Sequence, residues 1–150
     1  MLPFALGWGV HAGTVPRADA LLESFDQSCD VYFQVNATSS GTRQADWYGR
    51  MTGVSNAARS LSVAYKGKSS ATCDQTVSVY NWTTATWTQL DRRNVGTTEV
   101  AVSATVGGTL ADYVSGASGS GDVAVRVRCL RTDGVGFYVS GDRLAVTHSL

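Results

Sequence analysis

The 150-residue sequence predicts an all-β fold, an antiparallel two-sheet β-sandwich of jelly-roll type with eight or nine strands and at most one short helix. Three observations carry that expectation. Apolar side chains recur with a period of two through most of the chain, most clearly over Thr76–Val106, the mark of half-buried strands. Clusters of Gly, Ser, Thr, Asn and Asp divide these runs at regular intervals, as in sandwiches and barrels. A helical stripe is confined to Arg17–Phe25, where Ala18, Leu21, Leu22 and Phe25 fall at i, i+3, i+4 and i+7. That segment forms two turns at most, or an extended edge.

Taken in order, Leu2, Phe4, Leu6, Trp8 and Val10 alternate with Pro3, Ala5, Gly7 and Gly9, a strand with one apolar edge. Pro and Gly make it a poor central strand. It lacks the basic n-region of a secretory signal. His11–Pro16 reads as a loop, so residues 1–16 form an apolar arm or linker and residues 17–150 a single sandwich domain. Asp30–Val35 places Val31, Phe33 and Val35 inward, and Asn36–Gly41 turns the chain. Asp46–Met51 and Leu61–Tyr65 are strands around the Gly53–Ala58 turn, and Lys66–Thr72 is a polar connector.

Val77 and Val79 then oppose Ser78 and Tyr80, Thr83–Thr86 reverses the chain, and Trp87–Leu90 returns. Trp87 and Leu90 are assigned to the core, because hairpin aromatics commonly pin a hairpin to it. Asp91–Gly96 is a polar corner, after which Val100, Val102, Ala104 and Val106 share a face. Ala111–Gly121 is a Gly/Ser-rich loop. Asp122–Leu130 is a long strand, Thr132–Gly136 a turn, and Phe137–Val139 with Leu144–Val146 the closing pair.

Composition narrows the function. Hydrophobic residues make up 43% of the chain, with 16 Gly and 2 Pro, so the chain is neither disordered nor collagen-like. Twelve basic residues balance twelve acidic ones, which argues against nucleic acid and against attraction to anionic membranes. No run of about 18 apolar residues is present to span a membrane.

Cys73 shares the parity of Val77 and Val79, and Cys129 ends the inward set Val123, Val125 and Val127. Both sulfurs are expected in the core, either bridged as Cys73–Cys129 or as two buried thiols, with Cys29 free. Cysteines and histidines in zinc-ligand spacing are absent.

Recognition of a sugar requires exposed rings to stack on its C–H face and polar side chains to bind its hydroxyls. Trp47 and Tyr48 beside Asp46 and Arg50 supply that mixture, as do Tyr80 and Trp82 flanking Asn81, and Tyr113 beside Asp112. The competing uses are edge packing for Trp47 and Trp82 and loop anchoring for Tyr113. Arg126, Arg128 and Arg131 offer either an acidic-ligand patch or, more commonly for such residues, a solvated strand face. Asp26, Asp30, Asp112, Asp122 and Asp142 could give oxygen ligands to calcium, but no Asp-x-Asp-x-Asp loop joins them. No Ser or Cys has a nucleophile context such as Gly-x-Ser-x-Gly. Asn36-Ala37-Thr38 and Asn81-Trp82-Thr83 match the glycosylation sequon.

The segments Asp46–Val54, Leu61–Ser70, Thr76–Val100 and Asp112–Cys129 together resemble the non-catalytic β-sandwich modules found at the ends of large bacterial secreted or surface proteins. They are similar to galactose-binding-domain-like and carbohydrate-binding-module jelly rolls. The likeness spans Leu22–Val146 and leaves the arm outside it. It implies a non-enzymatic recognition module, extracellular or at the cell surface, whose partner is a glycan or another surface polymer. No cofactor is implied; a structural calcium is compatible with the resemblance but has no assigned ligands. The rival expectation is a structural self-assembly protein, a subunit of a surface layer, fibre or virion shell. It would bind copies of itself by adding Leu2, Phe4, Leu6, Trp8 and Val10 as a docking strand.

Overall fold

A computed structural model describes residues 5–12, 14–17, 33–116 and 118–150, with side chains from Gln34 onward. The strands are β1 (Ala5–Ala12), β2 (Thr14–Arg17), β3 (Phe33–Asn36), β4 (Arg43–Ser55), β5 (Ser60–Ser69), β6 (Cys73–Asn81), β7 (Thr86–Val95), β8 (Val100–Thr105), β9 (Ser120–Arg131) and β10 (Tyr138–Ser149). They form two five-stranded antiparallel sheets, β1-β4-β9-β6-β7 and β2-β3-β10-β5-β8. The protein is an all-β sandwich, and the chain passes between sheets at nearly every connection.

Among the described residues ten strands are present, beside the expected eight or nine, because the N-terminal stretch, read as arm and loop, supplies edge strands to both sheets. Leu6, Trp8 and Val10 lie in β1, whose backbone pairs with β4 of the same chain, Trp8 opposite Gly49 and Val10 opposite Trp47. Leu2 and Phe4 lie outside the described residues, as do Ala18–Phe25 and Cys29. Elsewhere the strands outrun their apolar patterns. Lys66–Ser69 continues β5, Asp91–Val95 continues β7, and β10 is unbroken from Tyr138 to Ser149. Backbone pairing requires no apolar side chain, so a ladder can extend into polar sequence once both strands are in register.

The core lies between the sheets. Val77, Val79, Val123, Val125 and Val127 face it from one side, and Leu61, Val63, Val139, Leu144 and Val146 from the other. Trp47 is fully buried and meets Tyr65 edge-on, with ring centroids 5.9 Å apart. Trp47 is therefore corrected from candidate ligand platform to core residue. Ala45, Trp47 and Met51 share the inward parity of β4, and Asp46, Tyr48 and Arg50 take the other face. The Tyr65 hydroxyl has no hydrogen-bond partner among the described residues. Its pKa is raised by burial first, then by the charges of Glu99 and Asp142. Gly67 gives the ring its place, since a Cβ there would come within 2.7 Å of the Tyr65 Cζ and 2.6 Å of the Ser140 carbonyl oxygen.

Cys73 and Cys129, both buried, form a disulfide between the neighbouring strands β6 and β9, with Cα atoms 5.5 Å apart. The bridge closes a loop between residues 56 positions apart. Loop-closure entropy assigns such a cross-link about 4 kcal/mol of stability. Unreduced, denatured protein is expected to titrate one free thiol, and Cys73→Ser with Cys129→Ser to lose roughly that stability in chemical denaturation.

Candidate functional site

The register of four strands builds a row of side chains on the outer face of the first sheet. Arg50 on β4 pairs with Ala124 on β9, and Tyr80 on β6 pairs with Trp87 on β7. The β6–β9 register, with Val79 opposite Val125, brings these two pairs side by side. Two strand positions along, Tyr48 pairs with Arg126, and Arg126 with Ser78. Tyr48, Arg50, Tyr80, Trp82, Trp87 and Ala124 line a cleft of about 240 Å³ that opens to solvent. Ala124 is the small residue among large ones, and its missing bulk leaves the depression.

Trp82 reaches the cleft because the β6–β7 hairpin is tightly tied. Asn81 Oδ1 accepts hydrogen bonds from the backbone N–H groups of Thr83 and Thr84, both at 3.0 Å, an Asx turn of the kind Asn favours. Ala85 takes a left-handed φ of 56° to complete the reversal. The 3-10 turn Leu110–Tyr113 supports the hairpin, its Asp112 carbonyl accepting from the Trp82 N–H at 2.7 Å. Asp112 Oδ1 accepts from the Thr83 hydroxyl at 2.8 Å.

The rings also position one another. Tyr80 meets Trp82 edge-on at 4.9 Å and Trp87 at 5.0 Å between centroids, the tilted arrangement aromatic quadrupoles favour. Trp82's indole N–H has no acceptor among the described residues.

Two guanidinium groups frame these rings. Arg50 lies 5.9 Å from the Trp82 ring centroid and is ion-paired with Asp122. Asp122 is itself placed by Ser115, to whose Oγ its N–H donates at 2.8 Å, while Asn56 Nδ2 donates to the Ser115 carbonyl at 2.9 Å. Arg126 lies 5.7 Å from the Trp87 centroid. Its Nε donates to Asp46 Oδ1 at 2.7 Å and its Nη2 to Asp46 Oδ2, a two-point grip on a buried carboxylate. Those bonds raise the guanidinium's already high pKa.

The structure therefore brings Tyr48, Arg50, Tyr80 and Trp82 together and leaves out two residues grouped with them in the sequence. Trp47 is in the core. Tyr113 does not line the cleft; it packs partly against the core, with its hydroxyl 3.3 Å from Thr88 Oγ1. Trp87 is corrected in the opposite direction, from core to cleft wall. It stands directly across from the outward-facing Tyr80, and cross-strand partners share a face. Leu90, at the bulge, packs partly buried against the core. The position of Trp87 was recoverable by counting the hairpin register outward from the Asn81–Thr86 pair. Ala124 carried no signal of its own.

Among the described residues no group of three or more His, Cys, Asp or Glu side chains could hold a metal ion. No described helix is long and apolar enough to cross a membrane.

Fold and cleft together define a two-sheet β-sandwich with an aromatic depression on one outer face. No family model matches the chain, and no curated protein matches its sequence. Among solved structures it is similar to a variant of CBM29-2, a family 29 carbohydrate binding module, with 12% identity, a TM-score of 0.55, and coverage of 99% of this chain and 90% of that one. The CBM32 of AlyQ, solved with 4,5-unsaturated mannuronic acid, matches with 11% identity, a TM-score of 0.52 and 99% coverage of both chains. TmCBM61, solved with β-1,4-galactotriose, matches with 10% identity, a TM-score of 0.50, and coverage of 95% of this chain and 88% of that one. At such identities the likeness is one of fold.

Asp46 holds Arg126 against the cleft, so Asp46→Ala is expected to cost about 2 kcal/mol. The figure sits below that for a fully buried pair because the Arg126 side chain keeps 24% of its exposure. Urea denaturation checks it, and no loss of stability would mean the pair does not hold the β4–β9 face.

Proposed function

We propose that the protein is a non-catalytic carbohydrate-binding module that takes its glycan in the Trp82–Trp87 cleft. The observation that carries this reading is the convergence of Tyr80, Trp82 and Trp87 with Tyr48 and Arg50 around the Ala124 floor. Pyranose rings present a C–H face to aromatic side chains and hydroxyls to a phenol or guanidinium, and this cleft offers both partners. Its framework is set before ligand arrives: ion pairs hold Arg50 and Arg126, and the hairpin holds Trp82. Little ordering cost is then left for binding.

Hydrolysis of a glycosidic bond ordinarily uses two carboxyl groups flanking it, one of them a proton donor. The carboxylates beside this cleft, Asp46 and Asp122, are each engaged by an arginine. The reading therefore assigns recognition and no chemistry to the site. Carbohydrate-binding modules of similar fold support it, and the disulfide suits an oxidising location outside the cytoplasm. The self-assembly alternative draws no support from β1, whose pairing with β4 is satisfied within its own chain.

Trp82→Ala and Trp87→Ala are each expected to weaken glycan binding about tenfold or more, as loss of a central aromatic contact does. The double variant should retain no glycan on an array of neutral and acidic oligosaccharides. Its melting transition should stay cooperative, because neither ring belongs to the buried core. Failure of the unaltered protein to bind any member of the array would overturn the reading.

A further inference from the structure

We infer that the outer face of the first sheet carries an anion subsite at Arg128, beside the aromatic cleft, which selects an acidic oligosaccharide such as a uronate chain. The inference rests on the glycan-binding reading and adds the ligand's charge. Its basis is the pairing of charges across that face. Among the described residues the outward positions of β4, β9, β6 and β7 hold four arginines, Arg50, Arg92, Arg126 and Arg128, and three aspartates, Asp46, Asp74 and Asp122. Each aspartate is closely engaged by one of the other three arginines: Asp122 by Arg50, Asp74 by Arg92 and Asp46 by Arg126.

Arg128 is the cation left over. Its Nε donates to the neutral Gln44 Oε1 at 3.3 Å and lies 3.9 Å from Asp46 Oδ2, whose carboxylate Arg126 already grips at both oxygens. The side chain keeps 39% of its exposure. In a chain whose formal net charge is zero, the described residues of the face that bears the rings thus carry one positive charge in excess.

Position fits the same ligand. Arg128 is four residues from Ala124 on β9 and projects from the same face, so it stands about 13 Å from the cleft floor at strand rise. Arg126 lies between them. A sugar ring seated on Trp82 and Trp87 would therefore need further residues of its chain to reach Arg128. Thr76 pairs with Arg128 across the sheet and offers a hydroxyl in the same row. A guanidinium binds a carboxylate through two parallel N–H donors, which a neutral hydroxymethyl group cannot match.

The test compares matched tetrasaccharides, oligomannuronate against oligomannose and oligogalacturonate against oligogalactose, by calorimetric titration at low and at physiological salt. At least one uronate chain is expected to bind about tenfold more tightly than its neutral counterpart at low salt, with the margin narrowing as salt is added. Arg128→Gln should abolish that margin and leave the neutral affinity unchanged, while Arg128→Lys should restore part of it. Circular dichroism of both variants confirms that the sheet persists; a variant that loses it is replaced by Arg128→Met. Binding of neutral chains equal to or tighter than that of uronates would overturn this inference and leave the glycan-binding reading standing. So would a uronate preference that survives Arg128→Gln. Failure of every oligosaccharide to bind would overturn both.

Discussion

Everything in this molecule depends on the paired register of β4, β9, β6 and β7. Side chains of a strand alternate between faces, so fixing the register fixes two surfaces at once. The inward parity of these strands places Trp47, Val77, Val79, Val125 and Val127 in the core. The outward parity places Tyr48, Arg50, Ala124, Tyr80 and Trp87 in one cleft. A slip of one residue would send the arginines into the core and the valines into water. The Cys73–Cys129 bridge ties β6 to β9 at one end of that register, and the Asn81–Thr86 turn ties β6 to β7 at the other.

Electrostatics then determines which parts of the outer face are available to a ligand. Asp46 and Asp122 hold Arg126 and Arg50 beside the indoles, so those guanidiniums act as much by positioning the rings as by presenting charge. Ion pairs at solvent-facing positions contribute little to stability. Arg92 with Asp74 and Arg93 with Asp91 are of that kind. The Asp46 carboxylate, buried under two arginines, is the exception. It is a structural anion, and it leaves Arg128 as the surplus cation of the face.

The sequence made much of the fold legible, because period-two patterning is a direct record of which face is buried. It made Tyr48, Arg50, Tyr80 and Trp82 legible as outward-facing polar–aromatic clusters on two strands distant in sequence. Two tryptophans were misplaced for a common reason. A ring's chemistry suits both core and ligand contact, and only its parity relative to the paired strand decides between them. Trp47 follows Ala45 and Met51 inward, which its own strand pattern already implied. Trp87 follows Tyr80 outward, which only the hairpin register reveals. Ala124 has no chemical signature, and its role as floor exists only once Arg50, Tyr80 and Trp87 surround it. The N-terminal stretch reads as an arm because Pro3, Gly7 and Gly9 make it a poor central strand, and only the pairing of β1 with β4 places it at an edge of its own chain's sheet.

The central claim is that glycan contacts the outer face of the first sheet through Trp82 and Trp87 while Trp47 stays enclosed. The most direct test is nuclear magnetic resonance of the tryptophan indole N–H groups during titration with oligosaccharides that bind. The account predicts that the Trp82 and Trp87 signals shift together and saturably, with the Trp47 signal unmoved. Saturable binding that leaves Trp82 and Trp87 unshifted, with the changes on the opposite sheet instead, would contradict it.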